Sequence, residues 1–308
     1  ISLNYWYVIF YLFHAFFWFL VLLEIKNFSQ KNKSLGINYL LLTLIIYIQP
    51  YNLNQTAAFS NEAIYYPLLI YFIFYFVGNY ENLNFFLKKK FNLIFFILFL
   101  IIGTIFRLHN IIFFGTFIFL LLFFKNKKFY KEVILLIFLK FIFLFCFFYF
   151  MDLYGVFSFI NKIFQLFILE NNPIEFYSQS AKKNQIIFND SINFSKYISL
   201  ERANILLSVY SSPIPITKIF SNQYIQLLIN FLCLLLLIYS LIKIQFSKEF
   251  KLFVSIYYLF SSIFIFLLPM NEGNYYLPVS FLNILILYCL FKKILKKYFE
   301  FIVISLLV

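Results

Sequence analysis

Residues 88–128 read KKKFNLIFFILFLIIGTIFRLHNIIFFGTFIFLLLFFKNKK. A lysine cluster opens an apolar run, the turn Arg107-Leu108-His109-Asn110 follows, and a second apolar run ends in another lysine cluster. Each run approaches the roughly 20 residues with which an α-helix crosses about 30 Å of hydrocarbon. The stretch therefore predicts a helical hairpin through a membrane, with both lysine clusters on one side and the turn on the other.

The same alternation extends in both directions. Further lysine clusters stand at Lys26/Lys31/Lys33, Lys243/Lys248/Lys251 and Lys292/Lys293/Lys296/Lys297, beside Lys88/Lys89/Lys90 and Lys125/Lys127/Lys128/Lys131. Seventeen of the 23 lysines fall in these five loops, which occupy every second gap between apolar runs. Lysine-rich loops stay in the cytoplasm, so the rule for topology assigns all five to that side. The apolar runs predict spanning segments at 4–24, 36–50, 63–79, 91–107, 109–124, 132–150, 223–243, 252–270, 273–291 and 298–308. The fold class is thus all-α: a polytopic transmembrane helical bundle of about ten spans. It divides into helices over 1–150, a long non-cytoplasmic segment over 151–222 and further helices over 223–308. Within the long segment, Ile198 to Tyr210 has the pattern of an interfacial helix or of a lid over a cavity at membrane level.

Composition agrees with this reading. The chain is 64% hydrophobic with a mean hydropathy of +0.89, whereas soluble domains average about 45–50% apolar residues. No strict period-two alternation argues for a barrel. The formal net charge of +13 lies beside the membrane and points to anionic lipid headgroups, not to nucleic acid. The excess of Phe, Ile, Asn, Lys and Tyr is the mark of an AT-rich genome, which leaves most Phe and Asn positions without functional signal. The informative residues are then the scarce ones: Arg107, Arg202, His14, His109, Trp6, Trp18, six Gly and seven Pro. Cys146, Cys233 and Cys289 lie inside apolar runs with no metal or disulfide spacing. Lys140, inside the sixth span, would cost about 2.5–3.5 kcal/mol if central and unpaired, so a partner facing the bundle is one reading and incidental burial the other.

The face opposite the lysine loops collects the candidate site. Glu62 follows Ser60-Asn61 where the chain re-enters the third span; it reads as an acceptor for a sugar hydroxyl, a metal ligand or an acid favouring a helix N-terminus. Arg107 at the tight turn has the fork geometry for bidentate phosphate recognition, against the alternative of an arginine snorkelling to the interface. His109 stands beside it as a hydrogen-bond donor to the same phosphate or as a turn cap. Glu272 lies in Pro269-Met270-Asn271-Glu272-Gly273-Asn274-Tyr275-Tyr276-Leu277-Pro278, where Tyr275 reads as a substrate contact or a belt tyrosine. Glu201-Arg202 reads as a local ion pair or a ligand contact. No Ser/His/Asp, HExxH or CxxC arrangement occurs, which sets aside the usual hydrolases and metalloproteases.

The order Pro50, Ser60-Asn61-Glu62, Lys88 to Lys90, Gly103-Thr104-Ile105-Phe106-Arg107, then Glu272-Gly273-Asn274-Tyr275-Tyr276-Leu277-Pro278, resembles the GT-C superfamily of integral-membrane glycosyltransferases. These include mannosyltransferases that use dolichyl- or polyprenyl-phosphate sugars. The likeness runs from about residue 36 to residue 280, and it departs where Asn274 stands in place of an Arg in the late motif. It implies a lipid-linked sugar donor, a glycan, lipid or protein acceptor, and transfer at the non-cytoplasmic face of a membrane, a bacterial inner membrane before that of the endoplasmic reticulum or an organelle. Substrate-binding roles then fall to Glu62, Arg107, His109, Glu272 and Tyr275. Beyond an optional divalent cation oriented by Glu62 and Glu272, no cofactor is implied. The family's catalytic Asp in an early outer loop has no counterpart before Glu62, so the resemblance places that residue upstream of Ile1, in an N-terminally incomplete chain. A transporter or lipid flippase, an O-antigen polymerase or ligase, and a non-catalytic subunit of a membrane complex are the competing readings.

Overall fold

The computed structural model describes residues 3–49, 52–53, 61–79, 90–106, 110–124, 130–152, 200–212, 214, 219–267, 277–296 and 298–307. Among them every regular element is helical. In chain order these are α1 (Leu3–Lys31), a 3-10 turn (Lys33–Leu35), α2 (Tyr39–Tyr47), α3 (Asn61–Asn79), α4 (Lys90–Phe106) and α5 (Asn110–Phe124). Then follow α6 (Tyr130–Asp152), α7 (Leu200–Ser211), α8 (Gln223–Lys243), α9 (Lys248–Leu267), α10 (Leu277–Leu295) and α11 (Tyr298–Leu307).

Each expected spanning segment overlaps one helix. Among the described residues three helices are long and apolar enough to cross a membrane, over Val8–Lys31, Gln223–Lys243 and Pro278–Leu295; shorter apolar helices cover Ala63–Val77, Asn110–Leu120 and Ile134–Cys146. The expected span at 36–50 is different. Its helix, α2, has 9 residues and rises only about 14 Å at 1.5 Å per residue. Both ends are stopped by asparagine. The Asn38 side chain accepts from the Leu41 N–H at 3.3 Å, while the Asn52 amide donates to the Tyr47 carbonyl at 2.7 Å.

The long helices α1 and α8 are sided, with buried and exposed faces. On α1, His14, Trp18, Val21, Ile25 and Phe28 are buried, a spacing of three and four residues that draws one stripe down the helix. That stripe faces α2 and α3. The other side of α1 exposes Leu12, Phe16 and Phe19, and α8 exposes Leu228, Leu232 and Leu235. Exposed apolar side chains on this scale form the surface that a hydrocarbon phase covers. Inside, aromatic rings fill the space between helices: Phe72 stacks on Phe99 at 4.4 Å, and Phe76 meets Phe117 edge-on at 5.0 Å. Such contacts, with close approach at small residues, hold helices together where no water is available to be expelled.

Three lysine clusters meet at one end of the bundle. The Lys293 ammonium donates to the Lys243 carbonyl at 2.8 Å, Lys292 pairs with Glu300 at 2.5 Å, and the Asn38 amide also donates to Glu300 at 3.4 Å. Gly36, at φ 59°, lets the chain turn left-handed there, and a Cβ on it would meet the Lys292 side chain at 3.6 Å. The clusters at 88–90 and 125–131 carry side chains outside the described residues.

Candidate functional site

The first turns of α3 form the centre of the buried polar structure. Pro67 lies inside this helix and has no N–H to donate to the carbonyl four residues earlier, which belongs to Ala63. An unpaired buried carbonyl costs about 1–3 kcal/mol. His14 supplies the missing donor: its Nδ1 lies 2.8 Å from the Ala63 oxygen. Since a carbonyl only accepts, Nδ1 carries the proton in this contact. The imidazole also stacks on Phe10 at 6.3 Å and meets Trp18 edge-on.

Tyr66, one residue before the proline, ties three chain segments together. Its hydroxyl accepts from the Gln49 amide and lies 3.1 Å from Ser280 Oγ, and Ser280 donates to Gln49 Oε1 at 2.6 Å. The result is a closed ring of three buried side chains from the end of α2, from α3 and from α10. It sits about 18 Å from Lys292 along α10, at 1.5 Å per residue.

Tyr65 reaches the other flank. Its ring stacks on Phe99 at 5.9 Å, and its hydroxyl lies beside the Asn110 side chain without completing hydrogen-bond geometry. Asn110 closes the α4–α5 hairpin by donating to the Phe99 carbonyl at 3.3 Å. Only a glycine fits opposite it, because a Cβ on Gly103 would lie 2.3 Å from Asn110 Nδ2. Lys140 is buried against the same place, donating to the Leu100 carbonyl at 2.7 Å and to Asn110 Oδ1 at 3.2 Å. Its ammonium stands 4.1 Å from the centre of the Phe114 ring. The bundle-facing reading of Lys140 is the one observed, and the contacts replace water with two oxygens and a π face.

A third polar group docks α7. Asn283 on α10 donates to the Val209 carbonyl at 2.9 Å and to the Ser212 carbonyl at 2.7 Å, which satisfies acceptors left over at a helix C-terminus. Tyr258 donates in turn to Asn283 Oδ1. With Asn204, Ile205, Ser208 and Val209 buried, α7 packs into α8, α9 and α10. The described part of the amphipathic pattern, from Leu200 to Tyr210, therefore belongs to a docked helix.

Against the residues singled out from sequence, Glu62 is the second residue of α3, one turn ahead of Tyr66. Arg107, His109, Glu272 and Tyr275 lie outside the described residues. The helix ends that flank these loops come together, however. Tyr66 of α3 bonds Ser280 of α10, and Tyr65 touches both arms of the α4–α5 hairpin. Among the described residues no group of three or more His, Cys, Asp or Glu converges as a metal site would require. Sequence reasoning assigns no role to Gln49, Tyr66, Asn110, Ser280 and Asn283. Scarcity does flag His14 and Trp18, and Pro67 is the signal for the role of His14.

Comparison with protein-family models, with curated proteins and with solved structures returns no match for this chain.

Proposed function

We propose that the chain is a multi-pass membrane glycosyltransferase that moves a sugar from a polyprenyl-phosphate donor to an acceptor at the non-cytoplasmic face. The observation that carries this reading is one helical turn. Ala63, Tyr65 and Tyr66 contact α1, the end of α2, both arms of the α4–α5 hairpin and the start of α10. Glu62 lies in the first turn of α3, and the segments bearing Arg107/His109 and Glu272/Tyr275 adjoin the other helix ends in sequence. A donor whose lipid tail stays in the bilayer needs its phosphate bound at such a boundary, with a cation to stabilise the leaving group. Arg107 takes that role, His109 adds a donor to the phosphate, and Glu62, Glu272 and Tyr275 orient sugar hydroxyls. The lysine-rich end then faces the cytoplasm, in the manner of a bacterial inner-membrane protein.

A second reading, a transporter or flippase, rests on Lys140, since a buried cation in a helix bundle commonly marks a translocation pathway. One experiment separates the two. In proteoliposomes carrying the full-length protein and a radiolabelled polyprenyl-phosphate sugar, Arg107→Ala should reduce transfer to an added acceptor by at least about a hundredfold, the scale of losing one preorganised oxyanion donor. Lys140→Met, which removes the charge, should leave transfer within a few-fold. Wild-type transfer by Arg107→Ala refutes the phosphate-binding role of Arg107, and no transfer by the unsubstituted protein refutes the glycosyltransferase reading. Loss of lipid movement between leaflets in Lys140→Met, with no sugar transfer by either protein, establishes the second reading.

A further inference from the structure

The lysine-rich end contains a cavity of about 350 Å³ lined by Ser34, Leu35, Gly36, Ile244, Gln245, Cys289, Lys292, Lys293 and Lys296. That volume falls at the lower end of the roughly 300–1,000 Å³ of small-ligand sites. Its walls are fixed by bonds away from the opening. The Asn38 N–H donates to the Tyr288 hydroxyl at 3.2 Å, its side chain caps α2, and Glu300 is occupied by Lys292 and Asn38. Lys292 is thereby neutralised. Among the described residues no carboxylate pairs with Lys293 or Lys296, and Lys293 uses one N–H on the Lys243 carbonyl. Lys296 is held at φ 50°, a conformation that L-residues with a side chain seldom adopt, so the chain keeps a lysine at the lip of the cavity at a steric cost.

The chemistry of the lining is two-sided. Ile244 and Cys289 are buried apolar floor, whereas the lip carries ammonium groups, the Ser34 hydroxyl and the exposed Gln245 amide. The C-terminus of α10 contributes roughly half a negative charge, which the two uncompensated lysines exceed. Lysine is a point-charge binder of phosphate, and basic pockets between membrane helices on the cytoplasmic side suit anionic headgroups. We propose that this cavity binds a phosphate group, with the headgroup of an anionic phospholipid as the source that its apolar floor fits. The site is separate from the ring of Gln49, Tyr66 and Ser280 and stands whether or not sugar transfer does.

The test uses the full chain in nanodiscs of phosphatidylcholine doped with phosphatidylglycerol, with lipid retained after purification counted by native mass spectrometry. Each lysine close to an anionic headgroup contributes roughly fivefold in binding. Lys293→Gln/Lys296→Gln should therefore lower retention of phosphatidylglycerol about thirtyfold. Lys26→Gln/Lys251→Gln removes the same charge from the same end outside the cavity and should leave retention near wild type. In a parallel arm, inorganic pyrophosphate is titrated by calorimetry into the protein in phosphatidylcholine alone. Pyrophosphate binding lost in the cavity variant, without selective lipid retention, assigns the phosphate to a soluble source. No selective retention and no pyrophosphate binding overturns the proposal, as does equal loss in both double variants.

Discussion

Replacing His14 by Phe keeps an aromatic ring between Phe10 and Trp18 and removes one donor. The carbonyl of Ala63, in a residue with no exposure, would then lose its 2.8 Å partner, because Pro67 cannot supply an N–H. Leaving a buried acceptor unsatisfied costs about 1–3 kcal/mol, so His14→Phe should destabilise the protein by about 2 kcal/mol. The same change made in a Pro67→Ala background meets a different helix. The alanine introduced there would donate an ordinary intrahelical bond to the Ala63 carbonyl, and His14→Phe should then fall within about 0.5 kcal/mol of neutral, the range of changes that break no such bond. The coupling of about 2 kcal/mol is a double-mutant-cycle quantity, and the ring volume lost with proline cancels from it. It would be measured by SDS-titrated unfolding in mixed micelles. The fluorescence of Trp18, 6.3 Å from the imidazole, reports the transition. Equal destabilisation in both backgrounds would show that the ring acts by packing alone and that the missing proline donor is irrelevant to it.

Two further outcomes are expected. Gly103→Ala drives a Cβ to 2.3 Å from Asn110 Nδ2 and should destabilise by about 1–3 kcal/mol through overpacking; in an Asn110→Ala background the clash disappears and the better helix former should be neutral or stabilising by up to about 1 kcal/mol. The sign change is read by the same unfolding assay, and its absence would refute the close approach. Single cysteines at Gln223 and Gln245, in a background where Cys146, Cys233 and Cys289 are replaced by Ser, flank the ends of α8. They should react with an impermeant maleimide from opposite sides of sealed vesicles, Gln245 from the cytoplasmic one, and labelling from one side only would break the topology.

The helical class and the helix positions were legible because hydrophobic run length and lysine spacing act locally. A run such as Gln223–Lys243 declares its own length, and its ends are marked by Asn222, which caps the first turn, and by Lys243. The length of α2 was not legible. The apolar run at 36–50 is continuous, and only the side chains of Asn38 and Asn52, folding back on the backbone, cut the helix to half a membrane. The site was less legible still. Asparagine is frequent enough in this composition to read as bias, yet Asn110, Asn204, Asn230 and Asn283 are all buried and each donates to a backbone carbonyl. Their partners lie 11, 19, 26 and 74 residues away. Three of the four bonds reach beyond any helix-length window of about 18 residues, and nothing in the local pattern marks the fourth, from Asn110 to Phe99.

Of the carbonyls served by side chains, those of Phe99, Leu100, Asn204 and Gln223 lie within helices, whereas those of Tyr47, Ala63, Val209 and Ser212 have a common origin. A continuous helix satisfies its own backbone, so a carbonyl that needs a side chain marks a place where the helix stops or is interrupted. Tyr47 is the end of α2, Ala63 faces the proline of α3, and Val209 and Ser212 end α7. Non-helical backbone at membrane depth is tolerated only where protein buries it or where it lines a water-filled cavity. The interruptions at Tyr47 and Ala63 occur in the half of the bundle away from Lys292, Lys293 and Lys296, beside the ring of Gln49, Tyr66 and Ser280. At the lysine end, by contrast, the turn at Gly36 and the left-handed Lys296 are met by ammonium groups and by open space. The two ends are therefore built differently: one uses neutral amides and hydroxyls to fix backbone beside the first turn of α3 and the start of α10, and the other places Lys293 and Lys296 at a cavity mouth. That asymmetry follows from hydrogen-bond satisfaction alone, and it separates the same two ends that the lysine alternation separates.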